Sequence, residues 1–586
     1  MIVPMKKLVV VTQAKDAESA VRKLRAFAQV HVENQELPKA KEISGLQEDL
    51  NLASEALDVL SKAEFATACE GSLQRKEPTQ WQATCHHVID IWKRLDQLEE
   101  YSRNLILKIK EWEIWGDFDP AQIQDLARQG IYMRLYQVPA KEMGIFPSEA
   151  VVKRVASKGN IVYCAVVSRE QLDIALKEVE IPKASISHMR KRLNEDHKTI
   201  EALRDDLRSS FCYHPELERI RHSLRKELEF REALHGMGQA EGFTYIVGFI
   251  PSDAQEMVSV LAKKEHWGIL ISEPAEQDII PTFIRNPRWI SLIAPVFKVL
   301  EVVPGYHELD VSAMFLIFLS LFFGMIIGDA GYGAVYFLLT ILAQWRWGKK
   351  TRDKSVFFLF YLFSFCAIIW GLLTGTVFGQ EWYLNAGSKA LAPILNNTKF
   401  LQAFCFFLGA FHLTLAHSWQ ALVKLPSPKA LADIGWICVL WAAFFMAKLL
   451  ILGDSFPLFG NWLLGTGIVL VILFTSPKRN VLKTIGSGLA TVALSLMNNF
   501  TDVVSYIRLF AVGLAGVAIA NTVNTLAAET GGNILAKVLI LFVGHTINII
   551  LGPMSVLVHG IRLNVLEFSG HANVTWSGIS YKPLKE

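Results

Sequence analysis

The first three hundred residues lack any long hydrophobic run. Up to Pro304 charged side chains are dense, whereas after Asp310 apolar runs follow one another almost to the end. Hydrophobic residues make up 51% of the 586, too many for one soluble globule and too few for an all-membrane chain. A soluble half is therefore joined to a membrane half. Charge of one sign is also missing: 59 basic residues are interspersed with 56 acidic ones, a net charge of +3, which excludes a nucleic-acid surface. The seven cysteines form no CxxC pair, and Cys366, Cys405 and Cys438 lie in apolar runs, so they read as reduced, packed thiols. Cys85-His86-His87 is no metal site, because three consecutive helical residues point in different directions. No phosphate-binding G-x-x-x-x-G-K-[ST] loop, no GxGxxG opening a helix after a strand and no nucleophile elbow occurs in the soluble half. No catalytic centre, cofactor or metal is expected. The N-terminus MIVPMKKLVVV lacks a signal-peptide apolar core with a small-residue cleavage site.

The soluble half reads as α+β, two small α/β lobes joined by long antiparallel helices. A β-branched run at 7–12, a helical pattern at 16–28 and an extended run at 30–33 make a strand-helix-strand unit. A matching unit at 243–250, 252–265 and 268–272 is placed to close a ferredoxin-like sheet with it. Between them, strands at 131–138 and 161–167 mark a second lobe. Ile91, Leu95, Leu98, Leu105, Ile109 and Trp112 fall on a three-four spacing, as do Met189, Leu193, Ile200, Leu203 and Leu207. The expected organisation is a proximal lobe (1–40 and 241–304), a helical arm (41–117 and 183–240) broken near Pro215, and a distal lobe (118–182). A membrane domain (305–586) follows.

Apolar stretches at 311–327, 332–345, 356–377, 400–423, 434–452, 462–474, 484–526 and 535–568 predict an all-α polytopic domain of about eight helices. Loops predicted inside carry Arg346, Lys349, Lys350, Arg352 and Lys354, then Lys424 and Lys429, then Lys478, Arg479 and Lys483, with Lys582 and Lys585 in the tail. Those predicted outside carry little besides Lys389 and Lys399. The positive-inside pattern puts the soluble half and both termini in the cytoplasm, with the chain multi-pass in the cell membrane.

The last two stretches are too long. A bilayer core takes roughly 20 helical residues, so both helices must be broken or strongly tilted. The stretch 499–521, NFTDVVSYIRLFAVGLAGVAIAN, carries Arg508, a charge that a membrane helix keeps only for a purpose. Asn498, Thr501, Ser505 and Arg508 are spaced three, four, three, and the stripe continues through Val512, Ala515, Ile519 and Thr522. His545, Asn548, Gly552, Ser555, His559 and Arg562 form a second seam. Gly513, Ala515, Gly516, Ala518 and Ala520 let another helix approach closely. Two readings follow: the polar seams hydrogen-bond to each other while Asp502 and Glu567 neutralise Arg508 and Arg562 as structural ion pairs, or the seams line a charged path in which histidines exchange protons.

Ser505-Tyr506-Ile507-Arg508-Leu509 with its small-residue helix, Val558-His559-Gly560-Ile561-Arg562-Leu563 with Glu567-Phe568, and Tyr581-Lys582-Pro583 resemble the last two helices of a known family. It is the membrane stator subunit of V-type and A-type rotary ATPases, called subunit a in eukaryotes and subunit I in bacteria and archaea. Gly324 to Gly333, GMIIGDAGYG, resembles its first membrane hairpin. The resemblance implies a non-catalytic subunit of the membrane part (Vo), with Arg508 and Arg562 facing a rotating proteolipid ring (c or K). Two half-channels would feed a proton or sodium ion to that ring, coupling it to ATP hydrolysis or synthesis. Implied partners are the ring, peripheral stalk subunits, a central-stalk-side Vo subunit and membrane lipid. Candidates for the half-channels are Asn498, Thr501, Asp502, Ser505, His545, Asn548, Ser555, His559 and Glu567, with Asp329, Glu381 and Asp454 at predicted outer helix ends, where each alone reads equally as a solvated end or a helix cap. Eukaryotic members place a histidine and a glutamate where this chain has Gly516 and Gly552. The alternatives are a secondary transporter with a regulatory cytoplasmic domain and a membrane-anchored scaffold.

Overall fold

The soluble elements follow in chain order. They begin with β1 (Met5–Gln13), α1 (Ala17–Phe27), β2 (His31–Glu33), α2 (Lys41–Leu60), α3 (Trp81–Trp112) and α4 (Pro120–Arg128). Next come β3 (Tyr132–Pro139), β4 (Val151–Lys158), β5 (Ile161–Ser168), α5 (Ile186–Ser210) and α6 (His214–His235). Then follow β6 (Gly238–Ala240), β7 (Phe243–Pro251), α7 (Gln255–Glu265), β8 (Gly268–Ser272), β9 (Pro281–Thr282) and α8 (Ala294–Leu300). The computed structural model describes all residues except 36–40, 63–79, 148, 171–175, 241, 350, 352, 381–396, 476–480, 532 and 586. Contacts divide it into two units: Met1–Val11, Gln29–Val32 and Val247–Pro583 form one, and Thr12–Ala28, Glu33–Ile246 and Leu584–Glu586 the other.

In the second unit the two leucine-rich stripes meet. Ile91 and Leu95 of α3 share a buried cluster with Ile200 and Leu207 of α5, while Leu105, Ile109 and Trp112 share another with Met189 and Leu193. The start of one helix thus lies beside the end of the other, so the pair is antiparallel. Arg204 and Glu99 bridge it at 2.7 Å. Helix α5 ends at Ser210, a tight turn covers Phe211–Tyr213, and Pro215 sits in the first turn of α6, where its missing N–H costs nothing. Strands β3, β5 and β4 form an antiparallel sheet in that order.

In the first unit the sheet order is β2-β7-β1-β8, with Lys7 opposite Ser272 and Val11 opposite Gly268. The membrane half belongs to this unit. It comprises α9 (Ser312–Ile327), α10 (Ala330–Trp347), α11 (Ser355–Thr374), α12 (Thr398–Lys424), α13 (Ala430–Ala447) and α14 (Leu458–Phe474). Helices α15 (Val481–Ser505), α16 (Ile507–Ala528) and α17 (Ile534–Ser555) complete it. Among the described residues five segments are long and apolar enough to cross a bilayer by length and composition, including Gly488–Ala528 and Ile534–His571. A shared core of Phe315, Phe322, Phe406, Leu413, Tyr506 and Leu509 binds α9, α12 and α16. Gly513 makes the α9 contact possible, since a Cβ there would fall 2.5 Å from the Met325 carbonyl oxygen.

The segment after His571 returns to the residues that lead into α9. Strand β10 (Ile579–Ser580) pairs in parallel with β9, and Glu308 accepts hydrogen bonds from the Thr575 N–H at 2.8 Å and the Gly305 N–H at 2.6 Å. Burial alone would raise the Glu308 carboxyl, but the bonds from Thr575, Gly305 and Trp576 outweigh it and hold it below the ordinary 4.5. A depressed carboxyl stabilises the fold above its unfolded-state value and loses that contribution as pH falls through its folded value. Glu308→Gln is expected to cost the detergent-purified chain about 1–2 kcal/mol at pH 7. The gap from wild type should shrink toward pH 4 in thermal unfolding, and a gap independent of pH would contradict the assignment.

Candidate functional site

The overlong stretch bearing Arg508 is broken at Tyr506. The Tyr506 N–H reaches back to the Val503 carbonyl at 3.4 Å, and the Leu509 N–H to the Tyr506 carbonyl at 3.0 Å, three-residue bonds that interrupt the helical ladder. The Tyr506 ring is fully buried, its hydroxyl lies 2.9 Å from His412 Nδ1, and Gly409 leaves room for it. Arg508 follows two residues later. The last helix is irregular too: Pro553 interrupts α17, and wide π turns cover Val556–Gly560 and Leu563–Phe568. Proline has no N–H for the Ile549 carbonyl, which instead accepts the Tyr336 hydroxyl at 2.7 Å.

These breaks bring two cations to one anion. Arg508 Nη2 donates to Glu567 Oε1 at 3.1 Å, and Arg562 Nε lies 3.7 Å from the same oxygen. The Glu567 side chain is 5% exposed, Arg508 25% and Arg562 55%. One carboxylate cannot balance two guanidiniums, so positive charge is left over. Arg508 Nη1 and Glu567 Oε2 are buried without a hydrogen-bond partner among the described residues. Among the described residues the neutralisation expected of Asp502 falls to Glu567, since the Asp502 carboxylate lies 3.1 Å from His571 Nε2 instead.

A cavity borders each side of the arginine pair along the helices. On one side Val512, Ala515 and Ile519 meet Asn548, Gly552 and Ser555 around about 120 Å³, closed by Tyr332 and Tyr336. Members of both seams are therefore brought together there. On the other, about 390 Å³ is lined by Asn498, Asp502, Glu567 and His571, together with His417 and Asp433.

The remaining candidates have other partners. Thr501 and Ser505 donate to their own helix, at the Met497 and Asp502 carbonyls. His545 lies between the Tyr332 hydroxyl at 2.6 Å and Asn524 Oδ1 at 3.1 Å, and Asn548 donates to the Gly516 carbonyl at 2.9 Å. His559 is half-buried in the first π turn, three residues before Arg562. Asp329 is fully buried, taking the backbone N–H groups of Tyr332, Phe378 and Gly379, the geometry of a helix cap and loop clasp. Asp454 pairs with Lys448 at 3.0 Å, and Glu381 lies outside the described residues. The sequence reading missed Tyr332, Tyr336 and Asn524, and on the other side His417, Asp433 and His571. The two tyrosines sit four apart on one helix face, a stripe that was visible in principle.

No protein-family model matches the chain. Curated relatives do, along its entire length. V-type ATP synthase subunit I of Borreliella burgdorferi is 29% identical over 632 aligned positions, covering 100% of both chains. V-type ATP synthase subunit I 1 of Treponema pallidum is also 29% identical with 100% coverage of both. The chain is similar, end to end, to subunit I of V-type ATP synthases. A-type ATP synthase subunit I of Methanocaldococcus jannaschii is 25% identical over 73% of this chain and 69% of its own. A crystal structure of the cytoplasmic N-terminal domain of subunit I, homolog of subunit a, of V-ATPase aligns with 45% of this chain and 99% of its own. At 14% identity and a TM-score of 0.26 that superposition is too loose to establish the fold. These relatives give no support to the secondary-transporter alternative.

The shared carboxylate is the hinge of the site. Replacing it by an uncharged isostere, Glu567→Gln, leaves two partly exposed guanidiniums uncompensated in the isolated chain and is expected to cost about 1–3 kcal/mol. Thermal unfolding in detergent reads this directly; an unfolding midpoint equal to wild type would show that the trio is not coupled.

Proposed function

We propose that this chain is the non-catalytic membrane stator subunit of a V/A-type rotary ATPase, forming the ion path against a rotating proteolipid ring. One observation carries the reading: Arg508 and Arg562 share a single carboxylate between two cavities, leaving positive charge for an anion that this chain does not supply. A ring carboxylate drawn to about 4 Å gains about 4 kcal/mol of attraction at an effective dielectric near 20, enough to keep it ionised while it passes. The same fixed charge blocks direct leakage between the two cavities. An ion must then travel with the ring.

The rest of the chain suits that task. Residues 1–304 are read as the cytoplasmic domain, two lobes at the ends of an antiparallel helical arm that rests on peripheral stalks and a central-stalk-side subunit and resists torque. Residues 305–586 are read as about eight membrane helices, with the arginine-bearing pair toward the ring. The lysine and arginine pattern of the loops supports a cytoplasmic soluble half. The full-length similarity to V-type subunit I supports membership of such a complex.

The test is Arg508→Ala in the assembled complex. ATP-driven ion uptake into vesicles is expected to be abolished, and Arg562→Ala to reduce it more mildly, while the complex assembles as wild type. Wild-type pumping by the Arg508→Ala complex would make the chain a scaffold.

A further inference from the structure

We propose that His417 and His571 form a proton relay on the inner side of the arginine pair, carrying protons between Asp433 and Asp502. This rests on the stator reading and adds to it one path and the kind of ion that path accepts. His417 Nδ1 lies 3.3 Å from Asp433 Oδ1, and His417 Nε2 lies 2.9 Å from His571 Nδ1. His571 Nε2 lies 3.1 Å from Asp502 Oδ2. Both nitrogens of both rings are thus engaged along one line, from α13 through α12 and the last turn to α15. Here each ring has a nitrogen on which to receive a proton and another from which to release one.

The line is anchored at both ends. Lys424 Nζ holds the other Asp433 oxygen at 2.7 Å, and Gln420 donates to the Ala572 carbonyl beside His571. The charged and titratable groups facing the cavity are His417, Lys424, Asp433, Asp502, Glu567 and His571. Asp502 therefore opens into the same space as Glu567, the partner of Arg508. His417 and Asp433 are 8% and 5% exposed.

The transfer balances without any further reactant. A proton on the Asp433 carboxyl passes to His417 Nδ1 as the Nε2 proton moves to His571 Nδ1, and the His571 Nε2 proton passes to the Asp502 carboxylate. Asp433 has lost one proton and Asp502 gained one. Both rings finish in the opposite tautomer and reset by ring rotation, since the reverse shift would return the proton to Asp433. The central link joins nitrogen to nitrogen and offers none of the oxygen ligands that a hard cation such as sodium requires.

The test uses the intact complex in sealed vesicles, with ATP-driven acidification and radiolabelled sodium uptake measured in parallel. His417→Gln and His571→Gln keep hydrogen-bonding capacity but take up no proton at neutral pH. Both are expected to assemble and to lower proton uptake by about a hundredfold or more, the range for loss of a positioned acid-base group. Added imidazole should restore part of the uptake in His571→Ala. Wild-type proton uptake by an assembled His571→Gln complex would overturn the relay. So would sodium uptake in place of protons, with the stator reading left intact. If a glutamine variant fails to assemble, wild type decides: uptake slowed in D₂O and independent of sodium supports the relay, and sodium-dependent uptake insensitive to D₂O overturns it. Pumping retained in Arg508→Ala would instead count against the stator reading.

Discussion

Two guanidiniums held against one buried carboxylate set the conditions for the membrane half. Arginine does not shed its proton, so the charge cannot be removed by titration and must be balanced or put to use. Glu567 balances part of it. The remainder, with Arg562 more than half exposed, is a fixed positive charge placed along the helices between the residues that line the two cavities.

Regular helices would not deliver this arrangement. The break at Tyr506 divides this helix between residues that border the larger cavity, Asn498 and Asp502, and those that border the smaller, Val512, Ala515 and Ile519, and it is held by a fully buried ring rather than by proline or glycine. On the facing helix, Pro553 and two π turns shift the phase between Ser555 and Glu567, so residues on both sides of Arg562 reach different neighbours. Each irregularity is compensated locally. The carbonyl that Pro553 orphans takes the Tyr336 hydroxyl, and the hairpin before α10 is fixed by Asp329.

Arg508, Arg562 and Glu567 stood out in the sequence as charges within apolar runs, and pairing of the arginines with Glu567 was one of the two readings it offered. The antiparallel helices of the second unit were legible because their leucine spacing is regular, and the break before Pro215 because proline acts locally. The break at Tyr506 was not, since its cause is the packing of His412 and Gly409, about a hundred residues away. Asp329 reads in the sequence as a lining group or a helix cap, and it caps; the loop clasp was not legible, since two of its three N–H partners come from a loop fifty residues on. His417, Asp433 and His571 each stand near a helix end, where a single polar residue reads as solvated, and only the fold brings them into one line.

The central claim is that the unbalanced arginine charge is completed by a carboxylate from another chain. An experimental structure of the assembled complex, resolved well enough to place side chains, measures it most directly. The account predicts a carboxylate of a neighbouring membrane subunit within about 4–6 Å of Arg508 or Arg562. Arginines satisfied by Glu567 alone and facing only lipid would contradict it.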